Sequence, residues 1–205
     1  MCRLLESIRY ENGSFDLMPF HRQRMQRARQ QLFGITGGME LENILRQAAR
    51  EQPERTTGLY KCRVVYDRVV REIRFLPYTF PQIRSLQLVE DNNIDYTLKY
   101  EDRSALNRLF LQRGTADDVL IVKKGLVTDT SFCNVLFFNG TSWLTPERPL
   151  LAGTRRAALL AGERVRTAVI RPSDLHYFSK VRLVNAMVRF EDKLDIPVKK
   201  IRGWR

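Results

Sequence analysis

Residues 126–140, LVTDTSFCNVLFFNG, place a carboxylate where a buried strand is predicted. An apolar run leads to the dipeptide Asn139-Gly140, which favours a tight hairpin turn. Asp129 and Asn134 interrupt the apolar pattern, and a buried carboxylate is costly unless it meets a cation or several hydrogen-bond donors. Asp129 is therefore a candidate site residue. The alternative is an aspartate of a turn that accepts hydrogen bonds from its own backbone.

Three other features could supply chemistry beside that carboxylate. Lys99 ends an extended segment before a predicted helix, and a lysine amine becomes a nucleophile in a desolvated site. In RPLLAGTRRAALL, Gly153 precedes a predicted helix whose N-terminus would bind an anion. His21 and Arg24 in FHRQRM are spaced to share one helical face. A lysine, a buried acid, an anion-binding helix start and an arginine are the groups that a pyridoxal phosphate site requires.

The elements that would position these residues alternate irregularly along the chain, which favours an α+β fold. The first part is predicted to contain strands at 3–9, 14–18, 58–66 and 69–76 and helices at 21–33 and 40–50. The rest is predicted to contain strands at 85–90, 118–123, 165–170 and 180–185 and helices at 102–112 and 154–162, besides the hairpin above. Pro77 and Pro81 bracket a segment without a regular pattern. We therefore predict a small N-terminal α/β domain at 1–76, a connection at 77–85 and a C-terminal domain at 86–205.

The net charge of +12 and a pI near 10.1 make nucleic-acid binding the first hypothesis from composition. However, 27 of the 35 basic residues are arginine, they are scattered through the chain, and aromatic residues are not interleaved with them. The planar fork of arginine suits small carboxylates and phosphates. We therefore expect the charge to serve a small anionic ligand, with no nucleic acid as partner.

The sequence also predicts a cytoplasmic protein with no membrane partner. No apolar run approaches the roughly 20 residues that span a bilayer, and the first residues lack the apolar core of a signal peptide. Cys2, Cys62 and Cys133 are few, odd in number and widely spaced. This spacing argues against a disulfide framework and against a metal site.

The run LVTDTSFCNVLFFNGTSWLTPERPLLAGTRR resembles, in sequence and spacing, the signature of the class IV aminotransferases, the fold-type IV pyridoxal phosphate enzymes. The resemblance extends from LLESIRYENGSFDLMPFHRQRM to VRLVNAM and so covers nearly the whole chain. It implies a fold-type IV enzyme with a barrel-like C-terminal domain and a homodimeric assembly. It also implies that pyridoxal 5'-phosphate is bound between the two domains.

By this resemblance, Lys99 corresponds to the lysine that binds the cofactor covalently and then moves protons at the substrate. Asp129 corresponds to the acidic residue that keeps the pyridine nitrogen protonated, although most family members have Glu there. Arg24 corresponds to an arginine that pairs with the cofactor phosphate; the alternative is that it lies on a solvated helix face with other arginines. His21 is expected to pack beside the site rather than to catalyse.

The phosphate-binding turn is assigned in the same way to Gly153, Thr154 and Arg155, whose backbone amides would hold the phosphate at a helix N-terminus. Arg155 stands where the family often has a threonine hydroxyl. The resemblance therefore implies hydrogen bonds to the phosphate from backbone amides of this turn and not from a hydroxyl at position 155. Asn185 and Ala186 resemble a segment that closes over phosphate and substrate. A strand end with an Asx turn is an equally good interpretation of these two residues.

The resemblance leaves the reaction open. We expect 4-amino-4-deoxychorismate lyase activity, which releases pyruvate and 4-aminobenzoate for folate biosynthesis. An arginine-rich chain suits a small substrate with two carboxylates, and the N-terminal hairpin that carries substrate-facing groups in the family is shorter here. A D-amino acid or branched-chain aminotransferase is the alternative. A nucleic-acid-binding protein on a degenerate scaffold is a more distant one.

Overall fold

The computed structural model describes residues 2–52 and 57–204. The chain forms two compact units, each with its own sheet and core. The first unit consists of Met1–Thr79 with Leu98–Asp102, and the second of Phe80–Thr97 with Arg103–Arg205. The predicted α+β class, with a small N-terminal and a larger C-terminal sheet domain, is confirmed. Within the described part of the chain, no helix is long and apolar enough to cross a membrane.

The first unit combines a four-stranded antiparallel sheet with two helices. Its elements are β1 (Leu4–Glu11), β2 (Ser14–Phe15), α1 (Met18–Phe33), α2 (Leu41–Arg50), β3 (Leu59–Tyr66) and β4 (Val70–Pro77). The strand order is β2-β1-β3-β4. A turn at Asn12-Gly13 joins β1 to β2, and both residues have the positive φ that this turn needs, 48° and 81°. Helix α1 starts earlier than predicted, because Pro19 is compatible with a first helical turn.

Strand β1 supplies the core of the first unit with one of its two faces. Leu4, Ile8 and Tyr10 alternate along this face and pack in one cluster with Met25 of α1. Glu6 has the same parity along the strand and is also fully buried. A carboxylate therefore lies within an otherwise apolar face, and it must find partners there.

Residues 98–102 belong to the first unit, whereas the sequence analysis placed them in the domain at 86–205. The reason is backbone pairing with the start of the chain. The Leu5 amide donates to the Lys99 carbonyl (2.8 Å), and the Glu101 amide donates to the Arg3 carbonyl (3.0 Å). This pairing joins residues that are far apart in sequence, so no local pattern predicts it. It places Lys99 alongside the first residues of β1.

The second unit is built on a nine-stranded sheet. Its strands are β5 (Leu86–Glu90), β6 (Asp118–Lys123), β7 (Leu126–Thr130), β8 (Asn134–Phe138), β9 (Trp143–Pro146), β10 (Arg166–Ala168), β11 (Lys180–Val184), β12 (Asp195–Pro197) and β13 (Ile201–Arg202). Its helices are α3 (Ser104–Leu111) and α4 (Thr154–Ala161), with short 3-10 helices at Pro172–Tyr177, Phe190–Asp192 and Val198–Lys200. The order is β10-β9-β8-β7-β6-β5-β13, and β11 pairs with both β8 and β12.

Strands β7 and β8 form a hairpin that brings two polar residues face to face. The Thr130 amide donates to the Cys133 carbonyl (2.9 Å), which closes the turn, and Asp129 pairs with Asn134 across the hairpin. The predicted turn at Asn139-Gly140 then connects β8 to β9. The polar pair that interrupted the apolar pattern in the sequence is therefore a single cross-strand pair.

Candidate active site

Asp129 is buried in the second unit, and both of its carboxylate oxygens accept hydrogen bonds. The residue is 4% exposed. Asn134 Nδ2 donates to Oδ1 (2.7 Å), and the Leu151 amide donates to Oδ2 (2.9 Å). These partners lie on β8 and on the loop before α4, so these two bonds are not those of an Asx turn. Two separate segments hold the carboxylate in one orientation.

The pKa of Asp129 is raised from 3.8 to about 6, because burial disfavours the charged form. Hydrogen bonds from the Leu151 amide and from Asn134, together with the positive charge of Arg156, act in the opposite direction. A buried carboxylate is stabilised when it gains a cationic partner that also donates a hydrogen bond. Asp129 therefore suits a protonated ring nitrogen.

The N-terminus of α4 offers hydrogen-bond donors. Gly153 precedes the helix with extended backbone (φ −70°, ψ 143°), and no side chain caps the helix. The first amides of an α-helix have no acceptor within the helix, and the helix dipole is positive there. Thr154 is 3% exposed, and its Oγ1 has no hydrogen-bond partner among the residues that the structure describes. These donors fit a phosphate, and Thr154 supplies a hydroxyl that the sequence analysis did not expect at this turn.

Two consecutive arginines of α4 have different surroundings. Arg155 is half-buried, and its Nη2 donates to the Ala186 carbonyl (3.5 Å). Arg156 is buried, its Nε donates to Thr145 Oγ1 (3.1 Å), and its charge lowers the pKa of Asp129. Arg155 was predicted from the sequence as a site residue, and Arg156 was not. Of these two arginines, Arg156 is the one whose charge contributes to the pKa shift of the buried acid.

Asn185 follows β11 and forms an Asx turn. Its Oδ1 accepts hydrogen bonds from the amides of Met187 (2.8 Å) and Val188 (2.9 Å). Its Nδ2 donates to the Phe132 carbonyl (3.3 Å), so the turn is tied to the connection between β7 and β8. The Asx-turn interpretation therefore describes the geometry found. Contacts of Asn185 and Ala186 with a cofactor stay a prediction.

In the first unit, buried Glu6 accepts hydrogen bonds from two residues of α1. Arg24 donates through Nε to Oε1 (2.8 Å) and through Nη2 to Oε2 (2.5 Å), which is the paired geometry of a guanidinium on a carboxylate. His21 Nδ1 lies 2.6 Å from Oε2. Glu6 and His21 are fully buried, and the Arg24 side chain is 14% exposed. Arg24 therefore belongs to a fixed network and not to a solvated helix face.

Electrostatics in this network favour an ionised Glu6 and a neutral His21. Burial raises the pKa of Glu6, but the Arg24 charge and hydrogen bonds from His21 and Arg24 lower it to about 2 overall. Burial lowers the pKa of His21; the hydrogen bond and the charge of Glu6 act in the opposite direction, and the charges of Arg24 and Lys99 lower the pKa further. The electrostatic influence of Lys99 on this ring links the predicted nucleophile to the same network.

Glu6→Gln is expected to lower the free energy of unfolding by about 1–3 kcal/mol, because a neutral amide replaces a carboxylate that accepts charge-assisted hydrogen bonds. Urea denaturation of the cofactor-free protein measures this change. The matched control is Glu42→Gln, since the ion pair of Glu42 with Arg46 is exposed. The control should change stability by less than about 0.5 kcal/mol. Equal effects of the two substitutions would show that the Glu6 network is not a stabilising one.

The predicted site residues are brought together within each unit. The first unit contains Lys99 and Arg24, and the second contains Asp129, Gly153, Thr154, Arg155, Asn185 and Ala186. Sequence reasoning gave no role to Glu6, Asn134 or Arg156, which position or tune these residues. In residues 2–52 and 57–204, no group of three or more His, Cys, Asp or Glu side chains could hold a metal ion.

A lysine, a buried acid and an anion-binding helix start on an α+β scaffold are the parts of a pyridoxal phosphate-dependent enzyme. The chain belongs to the class IV aminotransferase family, whose model matches residues 3–191. Class IV aminotransferases use pyridoxal phosphate, so this protein is a pyridoxal phosphate-dependent enzyme. The residues present fit the cofactor, since the hydroxyl of Thr154 and the amides of α4 can donate to a phosphate while Asp129 can accept from a ring nitrogen.

Similar proteins cover nearly the whole chain. An uncharacterized protein of Haemophilus influenzae is 34% identical over 187 residues, which are 91% of this chain and 98% of the relative. A crystal structure of a "putative 4-amino-4-deoxychorismate lyase" from Haemophilus somnus 129PT is 31% identical, with a TM-score of 0.86 over 93% of this chain and 98% of that one. A "putative amino-acid aminotransferase" from Mesorhizobium loti is 20% identical, with a TM-score of 0.79 over 96% and 98% of the two chains. This last likeness shows the fold alone.

Proposed function

We propose that this enzyme is a 4-amino-4-deoxychorismate lyase, which releases pyruvate and 4-aminobenzoate. The observation that carries the proposal is the likeness to the Haemophilus somnus structure of that name, at 31% identity over nearly all of both chains. The arginine-rich composition supports it, because the substrate carries two carboxylates and the guanidinium fork suits them. Lyase chemistry also needs no second site for a keto acid.

Lys99 is the proposed acid–base group. When bound, pyridoxal phosphate withdraws electrons from the substrate carbon that bears the amine. With the cofactor bound, the Lys99 amine would be the base that takes the proton from that carbon. The bond between the neighbouring ring carbon and the enolpyruvyl oxygen breaks with both electrons going to the oxygen, and the released enolate takes up a proton to become pyruvate. The ring that remains is aromatic 4-aminobenzoate.

Other residues are proposed to bind and orient the cofactor. Asp129 accepts a hydrogen bond from the ring nitrogen and favours its protonated form. The amides at the start of α4 and the Thr154 hydroxyl donate to the phosphate. Arg24 is also proposed to pair with the phosphate. Two of the five N–H donors of its guanidinium bind Glu6, which fixes the plane of the group.

The assay that tests this function supplies aminodeoxychorismate alone. We expect the purified protein with pyridoxal phosphate to release pyruvate and 4-aminobenzoate in equal amounts, because the elimination consumes no second substrate. Chromatography of 4-aminobenzoate and a coupled assay for pyruvate measure the two products. Turnover that begins only after a keto acid is added would assign the protein to the aminotransferases instead.

An aminotransferase acting on D-amino acids or branched-chain amino acids is the alternative, and the family to which the chain belongs supports it. Incubation with pairs of amino acids and keto acids, followed by amino acid analysis, tests this alternative directly. The homodimer, the cytoplasmic location and the lack of a nucleic acid partner stay predictions.

A further inference from the structure

One side-chain amide, that of Asn134, contacts both the buried acid and the loop that leads into α4. Asn134 is 6% exposed. Its Nδ2 donates to Asp129 Oδ1 (2.7 Å) and also to the Leu151 carbonyl (2.9 Å). The Leu151 amide in turn donates to the second oxygen of Asp129 (2.9 Å). The three residues thus form a closed set of hydrogen bonds, and both hydrogens of the amide have an acceptor.

The other end of the same amide faces Gly153. A Cβ atom on Gly153 would lie 1.9 Å from Asn134 Oδ1 and 3.0 Å from its Cγ. The backbone of Gly153 does not explain the glycine, because a φ of −70° and a ψ of 143° suit any residue. The glycine is therefore required by the space that the Asn134 amide occupies.

We propose that Asn134 is a positioning residue that fixes the Asp129 carboxylate and the start of α4 relative to each other. This inference rests on the proposed roles of Asp129 at the ring nitrogen and of α4 at the phosphate. One amide then sets the spacing of two contacts to the same cofactor. An apolar residue could not hold either group, and an aspartate would place a second carboxylate against Asp129.

A double-mutant cycle in the cofactor-free protein tests the steric part. Gly153→Ala is expected to lower the melting temperature by about 5 °C or more, since overpacking in a tight interior is destabilising. In the Asn134→Ala background, the same substitution should lower it by less than about 2 °C, because the amide that it would strike is gone. Equal shifts in the two backgrounds would overturn the steric role.

Cofactor binding tests the positioning part. Titration of cofactor-free protein should show that Asn134→Ala weakens pyridoxal phosphate binding about tenfold or more, because groups at two contacts lose a hydrogen-bond partner. Binding of pyridoxal, which lacks the phosphate, should weaken less. A variant with a lower melting temperature but unchanged affinity for both compounds would show that Asn134 only stabilises the fold.

Further measurements distinguish a failure of the Asn134 inference from a failure of the lyase proposal. If Asn134→Ala does not fold, Asn134→Ser retains one donor at lower volume, and the same two titrations are made on it. If the wild-type protein binds pyridoxal phosphate and turns over a pair of an amino acid and a keto acid but not aminodeoxychorismate, the lyase proposal fails. The titrations still decide the Asn134 inference in that case. If the wild-type protein binds no pyridoxal phosphate, both are overturned.

Discussion

Lys99→Ala is expected to lower turnover by about a thousandfold or more. The substitution removes the amine that is proposed to bind the cofactor covalently and to move the substrate proton, and a positioned acid–base group alone contributes about 10²–10⁴ in rate. The fold should be retained, because the pairing of this residue with β1 uses its backbone carbonyl, which alanine keeps. Steady-state assays measure turnover, and a urea denaturation curve measures whether the fold is retained.

The matched control for this substitution is Lys199→Ala. Lys199 is exposed in a short 3-10 helix of the second unit, so its removal should change turnover by less than about twofold. Borohydride reduction of the wild-type protein with its cofactor should attach the cofactor to the peptide that contains Lys99, and mass spectrometry identifies that peptide. A label on another lysine would show that the nucleophile was wrongly assigned.

Some elements that carry the candidate site could be predicted from the sequence because their signals are local. The Asn139-Gly140 turn follows from its dipeptide, and the start of α4 follows from Gly153 before a helical pattern. The structure has both elements at the predicted positions. Gly153, Thr154 and Arg155, which were carried over by resemblance, lie at the start of α4, and their roles toward a cofactor stay predictions.

The parts that were missed depend on contacts between distant segments. Glu6 has the spacing of the buried Leu4 and Ile8, so its burial could have been predicted, but its partners on α1 could not. Asn134 interrupts an apolar strand, yet the sequence does not show that its amide faces Gly153. Arg156 lies three residues before the buried Leu159 on α4, and this helical spacing would have separated it from Arg155.

Asp129→Asn is expected to lower turnover about a hundredfold or more while most cofactor binding is kept. The neutral amide has a similar shape, but it cannot favour protonation of the ring nitrogen, and the loss of one preorganised charge typically costs a few kcal/mol in the transition state. Asp129→Glu is the second variant. Because Asn134 and Leu151 hold both oxygens of Asp129, the added methylene should cost about 1–3 kcal/mol in stability.

The stability of the cofactor-free Asn variant should also respond differently to pH. Burial raises the pKa of Asp129 from 3.8 to about 6, so the folded protein binds this proton more tightly than the unfolded chain. The stabilisation that protonated Asp129 gives to the folded protein is fully present below pH 3.8 and is lost as the pH rises through about 6. The wild-type protein should therefore lose about 2 kcal/mol relative to Asp129→Asn between pH 4 and pH 7.

Denaturation curves of both proteins at intervals from pH 4 to pH 7 measure this difference. Glu6, whose pKa is lowered to about 2, is present in both proteins, so its contribution cancels in the comparison. Parallel stability profiles would show that Asp129 is not a buried acid with a raised pKa. Near-normal turnover by the Asn variant would show, independently, that the reaction does not use its charge. Only the combination of a divergent profile and a hundredfold slower reaction supports the role of Asp129 at the ring nitrogen.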